Sequence, residues 1–319
     1  MQASTGLWRQ TPPAIFPPIL GLLGLGLAWR RASQVFPVPS AVGEIILGAV
    51  SLLFLFAVLA YLGKFVRRPG ALVDDLRIMP GRAGISAGSM SAMLFAAVLV
   101  PYSNCFGQST LFVGMAAHLV IIAIVIGLLW SAPYAQRRMT PVWHLTFVGL
   151  IVAPQAGVAL GLNQMSEFVM FLTGAGAITI WLGNLIGMSH NATPPPLRPT
   201  MVIHLAPVSL IGIAAMLLGY TTLAMVLAWL ALVLAVVMLL RVGYLTAAGF
   251  SPFWGAFTFP MAAFTGLMLM MAQTQGGWFR IVAGVALIFI TLVIPVIAYR
   301  IMKMWSSGML AAKTNASKV

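Results

Sequence analysis

The sequence predicts an all-α integral membrane protein, with ten transmembrane helices paired as five helical hairpins in one domain over residues 1–319. Three observations carry that expectation. The chain is 61% hydrophobic and 7% charged, whereas soluble domains average about 25% charged. Its apolar residues gather into runs that can cross a hydrocarbon core of about 30 Å, a distance that takes roughly 20 helical residues. Three prolines, Pro154, Pro207 and Pro260, recur inside such runs at an interval of 53 residues, which marks a repeated structural unit.

In chain order the ten runs fall at about 14–30, 42–65, 83–100, 110–130, 142–162, 167–188, 200–219, 222–243, 253–272 and 279–302. They are apolar on all sides, as bilayer or bundle helices are, rather than along one stripe. The first run follows a single Arg9 and shows no small-residue cleavage site near Trp29-Arg30-Arg31. It therefore reads as a retained span, not a signal peptide. Turn chemistry separates the runs at Phe36-Pro37-Val38-Pro39-Ser40, Arg67-Arg68-Pro69-Gly70, Ser131-Ala132-Pro133, Thr193-Pro194-Pro195-Pro196 and Gly276-Gly277. Between runs seven and eight only Gly219-Tyr220-Thr221-Thr222 intervenes.

The basic residues test this topology. Of the 17 Lys and Arg, only Arg30, Arg31 and Arg280 fall on one side of the ten runs, and the other fourteen fall on the side of the N-terminus. By the positive-inside rule both termini are expected in the cytoplasm, with the protein in the inner (plasma) membrane. The net charge of +13 does not point to nucleic acid, because the basic residues sit in short loops rather than on one polar face. Cys105 is the single cysteine and forms no internal disulfide.

Odd and even runs differ in character. The three periodic prolines lie in runs five, seven and nine, run one carries Pro17 and Pro18 after Phe16, and run three reads Gly84-Ile85-Ser86-Ala87-Gly88-Ser89-Met90-Ser91. Small residues allow close helix approach, and proline removes a backbone donor and bends a continuing helix. Even runs are filled with bulky aliphatics. Odd helices are therefore expected inside, around a central pore, with even helices against lipid. A helix continuing through Pro260 should free the carbonyl of Ala256 and place Phe259 at the narrowest point.

Two segments resemble a known family. They are Pro195-Pro196-Leu197-Arg198-Pro199-Thr200-Met201-Val202-Ile203-His204-Leu205-Ala206-Pro207 and Phe250-Ser251-Pro252-Phe253-Trp254-Gly255-Ala256-Phe257-Thr258-Phe259-Pro260. Both are similar to signatures of the tellurite-resistance/dicarboxylate transporter family, which includes TehA-like proteins and the slow anion channels of plant guard cells. The opening run from Phe16 to Trp29 and the loop Phe36-Pro37-Val38-Pro39 resemble its first hairpin. The resemblance implies a quasi-fivefold arrangement of the hairpins, one pore per subunit, homotrimers, and a pore-blocking phenylalanine in the ninth helix. Phe259 matches that position, with Phe257 the fallback and Phe16 imitating the pair in run one. Run seven departs from the pattern in having a single Pro207 where relatives often have two.

The odd runs contain no acidic residue. Glu44 and Glu167 lie near the ends of even runs, and Asp74 and Asp75 lie between runs two and three. A charge at mid-bilayer costs at least ~2.5–3.5 kcal/mol, and proton or cation pathways usually retain one. A neutral pore with a basic mouth instead suits small inorganic or organic anions. Hydroxyl and amide donors from Ser89, Gln155, Ser209, Thr258 and Thr265 would line it. His204 is a possible titratable pore group, or a structural histidine like His118; His144 sits nearer the inner interface. The four histidines are too scattered for a metal site, and no cofactor is implied.

The leading reading is an anion channel or channel-like transporter. A proton-coupled carrier or exporter of C4-dicarboxylates such as malate, or of sulfite, is the alternative, with His204 as its coupling residue. A membrane enzyme or structural subunit comes third, because Asp74-Asp75 has no histidine or further carboxylate nearby for acid–base or metal work.

Overall fold

A computed structural model describes residues 8–133, 137–190 and 193–318. The helices are α1 (Phe16–Ala32), α2 (Ala41–Arg67), α3 (Gly70–Arg77), α4 (Met79–Leu99), α5 (Asn104–Ser131), α6 (Trp143–Phe147), α7 (Pro154–Gly157), α8 (Asn163–His190), α9 (Leu205–Leu217), α10 (Thr221–Leu240), α11 (Val242–Leu245), α12 (Gly255–Gln275), α13 (Gly277–Ser306) and α14 (Met309–Lys313). Among the described residues nine helices are long and apolar enough to cross a bilayer. The fifth run is not one of them. It breaks into α6, a 3-10 turn over Gly149–Val152, and α7.

Burial sorts the nine into two classes. The helices of runs one, three, seven and nine are 67–83% buried, whereas the five even ones are 17–33% buried. The outer helices expose large aliphatics such as Leu52, Val113, Leu185, Leu240 and Leu292, as a lipid-facing surface should. Inner segments pack in an order that returns to its start: α1 on α4, α4 on the fifth-run segments, these on α9, α9 on α12, and α12 on α1. Each also packs on the long helix that follows it.

Glycine sets the closest seams. A Cβ on Gly21 would lie 2.3 Å from the Thr258 side chain of α12, and one on Gly84 would lie 2.2 Å from the carbonyl oxygen of Pro13. Neither position admits a side chain unless the backbones separate.

The prolines do not all act as kinks. Pro17 and Pro18 lie in the first turn of α1, Pro154 opens α7, and Pro207 is the third residue of α9, just after a 3-10 segment over Pro195–His204. First-turn amides have no intrahelical acceptor, so proline there loses no hydrogen bond and starts a helix. Of the five prolines expected to kink helices, only Pro260 lies in a helix interior.

Near the start of the inner helices, an ion pair joins distant parts of the chain. Lys64 Nζ lies 2.7 Å from Asp75 Oδ2, and both side chains are fully buried. Lys64 also donates to the Thr11 carbonyl (3.2 Å). Asp75 accepts from Tyr61 Oη (3.0 Å) and from the Ser317 amide (2.8 Å). α2, α3 and the segments at both ends of the chain thus meet at one carboxylate. Removing one partner of a buried pair strands the other charge and costs about 3–5 kcal/mol. Asp75→Ala should therefore lower the thermal unfolding midpoint in detergent markedly. A Lys64→Met/Asp75→Leu double variant should recover part of that loss.

Candidate pore

A small cavity opens where the inner segments begin. Its walls are Ala14 and Pro17 from run one, Met79, Pro80 and Ala83 from α4, Val142 and Leu145 from the fifth run, Thr200 and Ile203 from the seventh, and Pro252, Phe253 and Ala256 from the ninth. Every odd run contributes to it. Thr314, just after α14, forms the remaining edge. The space open to water-sized occupants is about 40 Å³, room for roughly three waters. The lining is mostly apolar, with Thr200 and Thr314 its two polar side chains.

Phe259 lies three residues beyond Ala256 on α12, one turn further along an adjoining strip of the same face. It is 4% exposed. A Cβ on Gly24 of α1 would lie 2.8 Å from the Ala262 Cβ and 3.4 Å from the Phe259 ring, so the glycine lets α1 approach α12 and the ring packs beside it at ordinary contact distance. Phe257 is turned about 200° from Phe259 on the helix and packs edge-on to Trp254, with centroids 5.5 Å apart. Phe16 does not face the cavity. Its ring stands edge-on to Tyr61 of the outer helix α2 at 6.0 Å and against Gly88 of α4. It fills the seam between inner and outer layers and is removed from the gate candidates.

The hydroxyls expected to line a pore are committed elsewhere. Ser209 donates to the Leu205 carbonyl (2.9 Å), Thr265 to that of Met261 (2.9 Å), and Thr258 to those of Gly255 (2.8 Å) and Pro17 (3.1 Å). Ser89 lies 2.9 Å from the Ser86 carbonyl and 2.7 Å from His118 Nδ1. Each hydroxyl has one proton, and in apolar surroundings it bonds back to the preceding turn. The four thus offer no free donor to a solute.

The histidines are structural or lateral. His118 Nε2 donates to the Thr146 carbonyl (3.0 Å), which leaves Nδ1 to accept from Ser89 and ties α5 to α4 and α6. His204 Nδ1 lies 3.0 Å from His144 Nε2. Its ring lines a different cavity, a groove of about 480 Å³ bordered by Trp181 and Asn184 of α8, Leu234 of α10, Arg241 and Tyr244. His204 thus faces a lateral groove between two outer helices rather than the axial cavity. Among the described residues no group of histidine, cysteine and acidic side chains could hold a metal.

One residue near the axis was not anticipated. Arg30 and Arg31 were counted together as loop charges, but α1 continues to Ala32 and a helix sends successive residues about 100° apart. Arg30 points outward and forms two 2.7 Å contacts with Glu44. Arg31 points inward, with Nη2 donating to Gln155 Oε1 at 2.7 Å. Gln155 is thus the only predicted polar residue that meets a charged group. The available signal was the absence of any helix-stopping residue between Trp29 and Ala32.

No carboxylate enters the inner ring. Glu44 pairs with Arg30 and accepts from Tyr102, Glu167 accepts from Tyr220, Asp74 pairs with Arg68 and Arg77, and Asp75 is held by Lys64.

A family model described as voltage-dependent anion channel matches residues 10–302. No curated protein matches the chain.

His118→Ala would leave the buried Thr146 carbonyl without its partner, while the Ser89 hydroxyl keeps the Ser86 carbonyl. That should cost about 1–3 kcal/mol of stability, read as a lower unfolding midpoint. Ser209→Ala removes a bond to its own helix only and should leave the midpoint nearly unchanged.

Proposed function

The chain belongs to the voltage-dependent anion channel family, the family of TehA and the slow anion channels, and from that premise we propose that it conducts anions along its axis past Phe259. Members of this family are channels or transporters rather than enzymes, and the chain is a multi-pass membrane protein. The observation that carries the reading is the cavity to which all five odd runs contribute. In this reading the five hairpins stand in quasi-fivefold order with the broken fifth run as an inner segment, giving ten spans. The side at which the odd runs begin is cytoplasmic, as are both termini, and the membrane is the inner (plasma) membrane. The subunit assembles as a homotrimer, as the family resemblance implies, with one pore in each copy.

The chemistry follows from what the interior holds. Basic residues crowd the cytoplasmic loops and raise the local concentration of anions at that mouth. The narrow passage has apolar walls and no carboxylate, so a cation finds no counter-charge and an anion meets no strong trap. Conduction needs binding that is weak enough for release. The phenyl ring of Phe259 occludes the passage one turn above the vestibule, packed beside Gly24 of α1. A carrier coupled to protons needs a titratable group on the path. His204 faces the lateral groove, which favours the channel over that alternative.

Planar-bilayer or whole-cell currents test the gate. Phe259→Ala should raise anion conductance by at least about tenfold, the change expected when a barrier falls by about 1.4 kcal/mol, and Phe259→Leu should lie between. Unchanged conductance in a well-folded Phe259→Ala protein would remove the assignment. Reversal potentials across chloride, nitrate, sulfite and malate gradients would rank the permeant ions. Accumulation of labelled malate against its gradient, lost when the proton gradient collapses, would establish the carrier instead.

A further inference from the structure

Arg31 and Gln155 belong to α1 and the fifth run, which are not neighbours in the packing order of the inner segments. The 2.7 Å bond between them therefore crosses the interior of the ring. The same guanidinium is bordered by two more inner helices: a Cβ on Gly266 of α12 would lie 2.9 Å from Arg31 Nη1 and 3.5 Å from Ile213 Cδ1 of α9. Four of the five inner segments thus meet around one cation. Its level can be read from the α1–α12 seam, where residue 24 faces Phe259 and residue 31 faces Gly266. Seven residues on either helix put the guanidinium about 10 Å beyond the phenyl ring.

We propose that Arg31 and Gln155 form a second, outer binding site for the permeant anion, one that favours planar oxyanions such as carboxylates and nitrate over halides. The proposal rests on the channel reading and adds the chemical class of the ion. A guanidinium has five N–H donors in a rigid fork that matches two oxygens of one ligand. One is held by Gln155 Oε1, and the Gln155 amide nitrogen brings two more donors to the same space. Among the described residues Arg31 has no acidic partner within ion-pair distance. Arg31 is a partly buried cation in the last turn of α1, where a leucine would pack the same helix face without leaving a charge unpaired. Gly266 leaves open the volume that the guanidinium occupies. A halide accepts as a single point and gains little from the fork. By occupying one N–H, Gln155 keeps the site from binding too tightly for release.

The test uses the full chain in planar bilayers, with Phe259→Ala present in all variants so that current is measurable. Arg31→Lys keeps the charge and removes the fork. It should lower the permeability of nitrate and formate relative to chloride by about fivefold or more, with the anion-to-cation ratio little changed. Arg31→Gln should lower both ratios. Gln155→Glu places a carboxylate against Arg31 and should reproduce the loss without removing the arginine. Reversal potentials unchanged in all three variants would overturn the proposal while leaving the channel reading intact. If Phe259→Ala carries no anion current, the channel reading fails, and the site is then judged by binding alone. Nitrate or formate should raise the unfolding midpoint of the detergent-solubilised protein more than chloride does, and Arg31→Gln should abolish the difference. No difference between the anions in the unsubstituted protein would overturn the site.

Discussion

Everything in this fold follows from the need of each backbone amide and carbonyl for a partner where no water is present. The outer helices answer it as long α-helices of 20 to 30 residues, with one interior proline, Pro295, in α13. The inner layer departs much further from that pattern. The fifth run is cut into short turns and the seventh begins as a ten-residue 3-10 segment, and both are shielded by other helices. Irregular backbone is tolerated where protein or a cavity surrounds it, so the place where the chain is least regular is also where a passage can form.

Within that layer the energetics rest on close approach rather than on aliphatic bulk. Lipid tails are as apolar as leucine, so helices in a bilayer associate through packing and hydrogen bonds. Gly21 and Gly24 let α1 touch α12 at Thr258 and Ala262, Gly84 lets α4 touch Pro13 just before α1, and Gly266 leaves room for Arg31. The hydroxyls contribute little free polarity, since each is held by a carbonyl or, for Ser89, by His118. The charges are segregated: Arg30 is neutralised at the outer layer, Lys64 and Asp75 near the cavity end, and Arg31 alone is turned to the interior.

The in–out alternation was legible because apolarity, proline and small residues are properties of the sequence itself. Among the described residues nine of the ten expected runs are helical over a length that can cross a bilayer, and Pro260 sits inside one of them. The fifth run resembles a helix in mean apolarity, whereas its α-helix stops at Phe147, gives way to a 3-10 turn over Gly149–Val152 and restarts at Pro154. Pro17, Pro18, Pro154 and Pro207 look the same in sequence as an interior proline, and only the helix boundary decides between a start and a bend. Arg31 and Arg30 are adjacent identical residues, so their opposite roles depend on which face of α1 meets α2. Asp75 read as a loop residue because α3 is only eight residues long, and its partners come from segments far apart in sequence.

The seam between the first run and the last hairpin has a consequence for how the molecule is made. Thr258 bonds to the carbonyl of Pro17 across 241 residues, and Trp29 to Thr291 across 262. At about 5–20 residues per second, a ribosome needs roughly 10–50 s to deliver α12 after α1 has entered the bilayer. For that interval the glycine-lined groove of α1 lies open to lipid or to an insertion chaperone, and the barrel is a horseshoe. Biogenesis therefore turns on the last hairpin arriving before a foreign helix takes its seat.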